Sequence, residues 1–150
     1  MDIQIRGLNE LQADLKRIAE ELPKAIAWAT SSVIMDMTAD ARRNAPIDRG
    51  VLRSSIMPKV TEGPRTIKGV VGSNRKYTQW QEEGTEPFRA NWSAIEAWAK
   101  RKGIEHAFLV WRAIATRGIR AKHFLLDAFN SHKDDAFKRI LNAVDEVINR

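Results

Sequence analysis

The sequence predicts one α+β domain in which helices dominate, and three observations lead to this prediction. Apolar residues recur at helical spacing in the first third of the chain and again from Phe124 nearly to the end. Between these regions, two segments rich in Ile, Val and Thr flank the turn sequence Glu62-Gly63-Pro64-Arg65, which is typical of a β-hairpin. A chain of 150 residues is long enough to bury a core that needs no disulfide or metal to support it.

The first third of the chain predicts two consecutive helices. The apolar positions of the first one recur at steps of three and four, at Leu8, Leu11, Leu15, Ile18 and Leu22. Pro23 lacks an amide N–H and is tolerated best in the first turn of a helix, so we expect a break near Leu22 and a second helix from about Pro23. This second helix should end near Asn44, because Pro46 disfavours the helical conformation at Ala45.

A turn at residues 48–50 leads from the helices into the hairpin. Asp48 is expected to cap a short helical turn that runs through Leu52 and Arg53. Two strands and a short helix or irregular stretch should follow, at residues 56–61, 66–73 and 77–83. Gly84 is expected to stop the last of these.

The second half of the chain predicts three more helices. Ser93 and Glu96 form a capping box for a helix that stops at Gly103. The remaining two helices should cover residues 105–117, with Gly118 as the stop, and the stretch from Phe124 nearly to the C-terminus. Asn130 and Ser131 mark a point at which the last helix can divide.

The excess positive charge is concentrated in one segment. The formal net charge is +6, and residues 100–122 carry seven basic side chains against one acidic side chain, Glu105, so that the rest of the chain is balanced. The seven are Lys100, Arg101, Lys102, Arg112, Arg117, Arg120 and Lys122. Such a basic face is able to meet phosphate or an acidic protein surface, or it is simply solvated.

Several kinds of chemistry are not predicted. The chain has no cysteine, which excludes a disulfide framework and a thiol nucleophile. His106, His123 and His132 stand apart from one another, and the adjacent carboxylates Glu82-Glu83 and Asp134-Asp135 face different directions on a helix. We therefore expect no catalytic residue, no metal site and no cofactor.

A membrane segment is not predicted either. The longest apolar runs contain five residues, far fewer than the roughly 20 that span a bilayer. Asp2 is not followed by an apolar stretch typical of a signal peptide, so we expect the chain to fold in the cytoplasm.

The aromatic residues favour packing over base stacking. Trp98, Phe108 and Trp111 fall on the apolar faces of predicted helices, where they are expected to pack in the core or between subunits. Trp80 and Trp92 flank the loop around Gly84, and large aromatic side chains near loops are also what protein interfaces use as anchors.

Three stretches of sequence carry distinctive patterns. Residues 41–56 read ARRNAPIDRGVLRSSI and match A-x-x-x-A-P-[VI]-D-x-G-x-L-R-x-S-I. Residues 70–85 read VVGSNRKYTQWQEEGT and are similar to V-x-x-N…Y-x-x-x-x-E-x-G-T, with Glu82 or Glu83 at the carboxylate position. Residues 118–125 read GIRAKHFL and are similar to G-x-x-x-x-P-F-[LM], with His123 where proline is common.

Together, in this order, these stretches resemble the tail-component family of tailed bacteriophages, whose members complete the tail or join it to the head and are akin to minor tail protein Z. The resemblance covers roughly residues 8–140. It implies a single domain over residues 1–150 with a long N-terminal helix packed on a small antiparallel sheet, further helices in the second half, a helical insertion at about residues 93–118 and a C-terminal helix.

The resemblance also implies a function and a set of interface residues. It implies a structural virion protein that forms a homo-oligomeric ring at the neck, between the tail terminator or tail tube proteins and the head-closure or connector proteins, after assembly in the host cytoplasm. The candidate residues at the family positions are Pro46, Asp48, Gly50, Leu52, Arg53, Tyr77, Glu82, Glu83, Gly84, Thr85 and Phe124.

The residues themselves leave alternatives open. Pro46 and Gly50 suit a chain that leaves a helix and turns into a sheet, a purely architectural role. Asp48 and Arg53 are placed to pair across the turn. The stretch from Tyr77 to Thr85 predicts either an interface loop or a helix C-cap. In a neck ring, the basic segment is able to contact DNA weakly and without base readout. For the whole chain, the alternative to a tail protein is a basic nucleic-acid-binding module.

Overall fold

Six helices and two strands succeed one another in residues 7–150, the part of the chain that the computed structural model describes. Asp2, and with it the expectation about a signal peptide, lies outside the described residues. The elements are α1 (Leu8–Asn44), α2 (Val51–Ser55), β1 (Ile56–Glu62), β2 (Ile67–Ser73), α3 (Thr78–Glu83), α4 (Trp92–Arg101), α5 (Ala107–Arg117) and α6 (Phe124–Ile148). The predicted α+β class, with a long N-terminal helix and a C-terminal helix, is confirmed.

Helix α1 is the centre of the fold, because both α6 and the β1–β2 hairpin pack against it. The hairpin is antiparallel, with Ile56 opposite Ser73 and Glu62 opposite Ile67. One apolar cluster joins the end of α1, α2, β1 and the start of α6, and it consists of Ala41, Ala45, Leu52, Ile56, Phe124 and Ala128. A second cluster on α1 contains Val33, Ile34 and Met37.

Polar side chains fix the register of α1 against α6. His132 Nε2 and Asp40 Oδ2 are 2.7 Å apart, and Arg139 Nη1 donates to Asp36 Oδ2 at 2.7 Å. Near the other end of α6, Arg17 Nη1 donates to the carbonyl oxygen of Val147 at 3.1 Å. The two helices are therefore antiparallel, and their charged contacts run along the seam.

The predicted break at Pro23 is wrong, because α1 continues through it as one helix. Proline removes one backbone hydrogen bond, the one to the carbonyl of Ala19, at a cost of about 3 kcal/mol. Both Pro23 and Ala19 are exposed, so water is able to solvate the freed carbonyl. Packing of the C-terminal half of α1 on the sheet and α6 stabilises the continuous helix.

Three local predictions also differ from the structure. Asn91 caps α4, accepting from the amide of Ala94 at 3.3 Å, so the predicted capping box at Ser93 is wrong. Gly50 precedes α2 and no side chain caps this helix, so Asp48 has another role. Helix α6 runs undivided through Asn130 and Ser131.

The apolar face at the start of α1 is present but uncovered. Leu8, Leu11 and Leu15 are 60%, 56% and 59% exposed. Helix α6 ends at Ile148, opposite Arg17, so nothing in residues 7–150 covers this part of α1. In the same residues, no helix combines the length and the hydropathy required of a membrane-spanning segment.

Candidate interface groove

A large apolar depression, a groove of about 840 Å³, lies where four parts of the chain meet. One wall is the 46–52 segment after α1, and α3 adjoins it; the other walls are α4 with α5 and the 118–122 segment. Its apolar lining comprises Pro46, Ile47, Val51, Leu52, Ile95, Trp98, Val110, Ile114 and Ile119. We call this depression the interface groove.

The first sequence pattern builds one wall of the groove. Pro46 ends α1, and the preceding Ala45 takes an extended conformation and is buried. After the turn, Leu52 is only 6% exposed and anchors α2 in the core. The neighbouring Val51 is 42% exposed and lines the groove. The pattern thus combines a core anchor with an accessible apolar surface.

The turn that carries Asp48 is tied to the end of α4. Arg101 Nη2 donates to Asp48 Oδ2 at 2.8 Å, and this hydrogen bonding lowers the pKa of the Asp48 carboxyl below its usual value. Lys102 Nζ donates to the carbonyl oxygen of Ile47 at 2.6 Å. These contacts span more than 50 residues of sequence and hold α4 beside the turn.

The predicted pair between Asp48 and Arg53 is wrong. Arg53 Nη2 instead donates to the carbonyl oxygen of Arg43 at 2.9 Å, and that of Ala45 is 3.5 Å away. These carbonyls lie at the end of α1, where the last carbonyl groups of a helix have no amide donor within the helix. Arg53 donates to them and so holds α2 against α1. The side chain is therefore structural.

The second sequence pattern holds the start of α6. Glu82 is half-buried, and its two carboxylate oxygens accept from the backbone amides of Leu125 at 3.0 Å and Leu126 at 2.8 Å. A carboxylate at this position accepts from amides in the first turn of α6 that have no partner within the helix, and its negative charge complements the helix dipole. The adjacent Glu83 is exposed and accepts only from Gln79 Nε2 on its own helix. Of the two carboxylates, Glu82 makes the long-range contact.

Two glycines allow the end of the second pattern and the start of the third pattern to come into close backbone contact. Gly84 ends α3 at φ 80°, and a Cβ there would lie 2.7 Å from the carbonyl oxygen of Ile119. At Gly118, with φ 74°, a Cβ would overlap the carbonyl oxygen of Thr85. Thr85 also exchanges hydrogen bonds with Ile119: its amide donates to the Ile119 carbonyl, and its hydroxyl accepts from the Ile119 amide, both at 2.9 Å.

The third pattern supplies the largest core anchor. Phe124 is fully buried, and it packs with Leu52 in the cluster that joins α2, β1 and α6. His123, where proline is common in the pattern, has φ 50° and donates its amide to the carbonyl of Glu82 at 3.1 Å. Proline is unable to adopt this φ and has no amide hydrogen, so this local geometry requires a residue other than proline.

The seven basic residues are all exposed, and the structure separates them. The three at the groove are Lys102, Arg120 and Lys122. Arg101 is engaged with Asp48, and Lys100 borders a different cavity. Arg112 and Arg117 lie on α5 and do not line the groove.

The structure thus divides most of the family-position residues into two groups, while Arg53 binds the end of α1 and Glu83 is exposed on α3. The residues that line the groove are Pro46, Asp48, Gly50, Leu52 and Tyr77, of which Tyr77 is 37% exposed. Glu82, Gly84, Thr85 and Phe124 instead hold the segments behind it together. The apolar side chains that α4 and α5 contribute, such as Ile95 and Val110, were not singled out; helical periodicity marks them as apolar, but a partner surface has no signal of its own in one sequence.

The groove is mainly apolar, and its charged groups are mostly basic. Among the described residues that line it, the only carboxylate is that of Asp48, which is paired with Arg101, and the other charged groups are Arg49, Lys102, Arg120 and Lys122. Among residues 7–150, no three or more acidic or histidine side chains converge on a potential metal position. The fold and the groove therefore define an α+β protein that presents an apolar surface with a basic rim.

Comparison with known proteins gives the family. The family model described as "Bacteriophage HK97-gp10, putative tail-component" matches residues 9–84, about half of the chain. The chain belongs to this family and is a structural protein of the phage tail that contacts other virion proteins. No curated protein and no solved structure matches the chain. The matched part runs from α1 through α3 and includes the first sequence pattern and all of the second except Thr85.

Proposed function

We propose that this protein completes the head-proximal end of the tail of a phage or prophage and joins the tail to the head. In this role it forms a homo-oligomeric ring at the virion neck. One side of the ring contacts the tail terminator or tail tube, and the other contacts the head-closure or connector proteins. The mechanism is assembly of folded subunits, with no chemical turnover.

The observation that carries this proposal is the groove, because residues of a tail-component pattern form its wall. Pro46, Gly50 and Val51 lie within the matched residues 9–84 and line an open apolar surface. Contiguous exposed apolar surface of this kind is typical of sites that other proteins cover. A closed ring would bury such a surface in every subunit without leaving free ends.

The arrangement of α4 and α5 supports a single domain with a helical insertion at about residues 93–118. These two helices contact each other more extensively than they contact any other element. They lie beyond the matched residues 9–84 and form the wall of the groove opposite Val51. In this proposal, the insertion shapes the groove for the particular neighbours of this protein.

The test is the morphology of particles produced without this protein. Electron microscopy should show separate heads and tails, and supply of the wild-type chain should restore joining. Val51→Glu should fail to restore it, because a carboxylate is placed in the apolar groove. Val70→Glu is the matched control, since Val70 is also 42% exposed but lies on β2, outside the groove. Normal joining without the protein would refute the proposal.

The alternative is a nucleic-acid-binding module, and the basic rim of the groove is the observation that favours it. Of the seven basic residues, only Arg101 forms an ion pair within residues 7–150. Lys102 donates to the carbonyl oxygen of Ile47, whereas Arg120 and Lys122 at the groove are exposed and available for phosphate. Titration against duplex DNA at two salt concentrations separates the proposals: tight binding in physiological salt that weakens steeply at higher salt supports the module. Weak contact at low salt alone is compatible with DNA that passes through a neck ring.

A further inference from the structure

The first turns of α1 form an arm that no other part of residues 7–150 covers. Every residue from 8 to 16 is exposed, and the contact between Arg17 and Val147 marks the end of the α1–α6 seam. At 1.5 Å per residue, the arm extends about 13 Å beyond this contact. We call residues 8–16 the N-terminal arm.

The arm has one apolar face with an acidic flank. Leu8, Leu11 and Leu15 recur at helical spacing and share one face. Glu10 and Asp14 are four residues apart, so both lie along the same side of the helix, next to the leucines. The one basic residue of the arm is Lys16, and Asp14 Oδ1 lies 4.0 Å from Arg17 Nε, just after the arm. The leucine face with Glu10 and Asp14 beside it is complementary to an apolar surface that carries positive charge at its edge.

The interface groove has the complementary composition. Its lining is apolar, and Lys102, Arg120 and Lys122 stand at it with Arg49. The one carboxylate in the groove, Asp48, is already paired with Arg101. A docked arm would place its leucines against apolar side chains and its carboxylates near the unpaired cations, where opposite charges set orientation and association rate.

The arm of a given chain is unable to reach its own groove. Both are attached to the same continuous helix: the arm begins α1 at Leu8, and the groove begins at Pro46, just after α1 ends at Asn44. About 30 helical residues separate them, or roughly 45 Å at 1.5 Å per residue. Since α1 is a single helix packed on α6 and the sheet, it cannot fold back on itself. An arm that occupies this groove would therefore belong to another copy.

We propose that the N-terminal arm of one copy docks into the interface groove of the next copy. This contact is head-to-tail, so each subunit offers one arm and one groove, and repetition closes a ring if the rotation permits. The inference rests on the proposed function in that it assigns the surfaces through which the ring forms. It commits to a second copy of this chain as the occupant of the groove.

Cysteine cross-linking tests the contact, because the chain has no cysteine of its own. Leu11→Cys on the arm, mixed with Val51→Cys in the groove, should yield a disulfide-linked heterodimer under mild oxidation. Two matched controls should cross-link at least about tenfold less. They are Ala13→Cys, which is exposed on the opposite face of the arm, and Val70→Cys, which is exposed on β2. Equal cross-linking by the controls, or none with Val51→Cys, would overturn the proposal.

Charge exchange provides a second measurement on the folded protein. Glu10→Lys with Asp14→Lys, or Arg120→Glu with Lys122→Glu, should each weaken self-association about tenfold or more, because like charges then meet. All four altered residues are exposed, and circular dichroism should confirm that both variants are folded. A mixture of the two variants should regain association, since each arm then has an oppositely charged groove. No recovery in the mixture contradicts the proposal.

The outcomes separate this inference from the proposed function. If cross-linking fails while particles made without the protein still contain detached heads and tails, the arm–groove contact is wrong and the joining role stands. If cross-linking succeeds and particles made without the protein join normally, the chain self-associates as inferred but does not join head to tail.

Discussion

The contact between Glu82 and the start of α6 predicts that loss of one negative charge destabilises the fold. In the Glu82→Gln variant, the amide keeps one acceptor oxygen, but its NH₂ group faces one of the two backbone amides of Leu125 and Leu126. One hydrogen bond and the interaction of the charge with the helix dipole are therefore lost. Helix caps contribute about 0.5–2 kcal/mol, and a charge near a helix N-terminus about 0.3–1 kcal/mol. We expect the free energy of unfolding to fall by about 1–2 kcal/mol.

The neighbouring Glu83 gives a matched control. It carries the same charge on the same helix, but it is exposed and accepts only from Gln79. Glu83→Gln should therefore change the free energy of unfolding by less than about 0.5 kcal/mol. Urea unfolding followed by circular dichroism measures both, with the midpoint lowered and the slope unchanged in Glu82→Gln. The corresponding fall in Tm is roughly 2–8 °C for a chain of this size.

The comparison of the two variants decides the argument. If Glu82→Gln and Glu83→Gln lower stability equally, the effect is one of net charge, and the cap on α6 contributes nothing specific. If neither variant changes the free energy of unfolding, the two hydrogen bonds of Glu82 contribute no more to stability than hydrogen bonds to water would.

Three further predictions concern the core, the close backbone approach and the α1–α6 seam. Phe124→Ala should lower the free energy of unfolding by about 3–5 kcal/mol, measured by urea unfolding, because the side chain is fully buried. Gly118→Ala should lower Tm much more than Gly103→Ala: both glycines have positive φ, but only at Gly118 does a Cβ meet backbone atoms. The hydrogen bond with His132 lowers the pKa of the Asp40 carboxyl below its ordinary value near 4. The stability that this hydrogen bond contributes is therefore present above the ordinary pKa and is lost as the pH falls through the lowered pKa. Asp40→Asn should therefore lose less stability than the wild type between pH 5 and pH 3; an equal loss would contradict this.

Much of the secondary structure could be predicted because its signals are local. The hairpin turn lies between two β-rich segments, and Gly63 in that turn donates to the carbonyl of Thr66 at 2.8 Å. The end of α1 at Asn44 follows from the proline two residues later. The C-terminal helix follows from its periodicity. In each case, the residues that decide the structure are within a few positions of it.

Pro23 shows where a local rule gives the wrong answer. The rule describes the cost of one lost hydrogen bond, but packing along the rest of α1 offsets this cost. Arg53 is a second example, since its position suggested a partner across the turn, whereas the carbonyls at the end of α1 bind it. In both cases, the competing interaction comes from an element that the local pattern does not describe.

The candidate site was predictable as a set of residues but not as a surface. The patterns singled out Pro46, Gly50 and Tyr77, which line the groove, along with Glu82 and Phe124, which lie behind it. The sequence contains no signal that separates a residue facing the groove from one that supports it. That distinction depends on side-chain exposure.

The sequence by itself determined the α+β class, the places where most helices and strands begin and end, the segment that carries the net charge and the resemblance to a tail-component family. These features depend on periodicity, turn chemistry and composition, which act over a few residues. Only the tertiary structure decided that Arg101 meets Asp48, that Glu82 caps α6 and that nothing in residues 7–150 covers the arm of α1. Contacts between segments some 40 or more residues apart depend on how whole elements pack, and packing is a property of the folded chain.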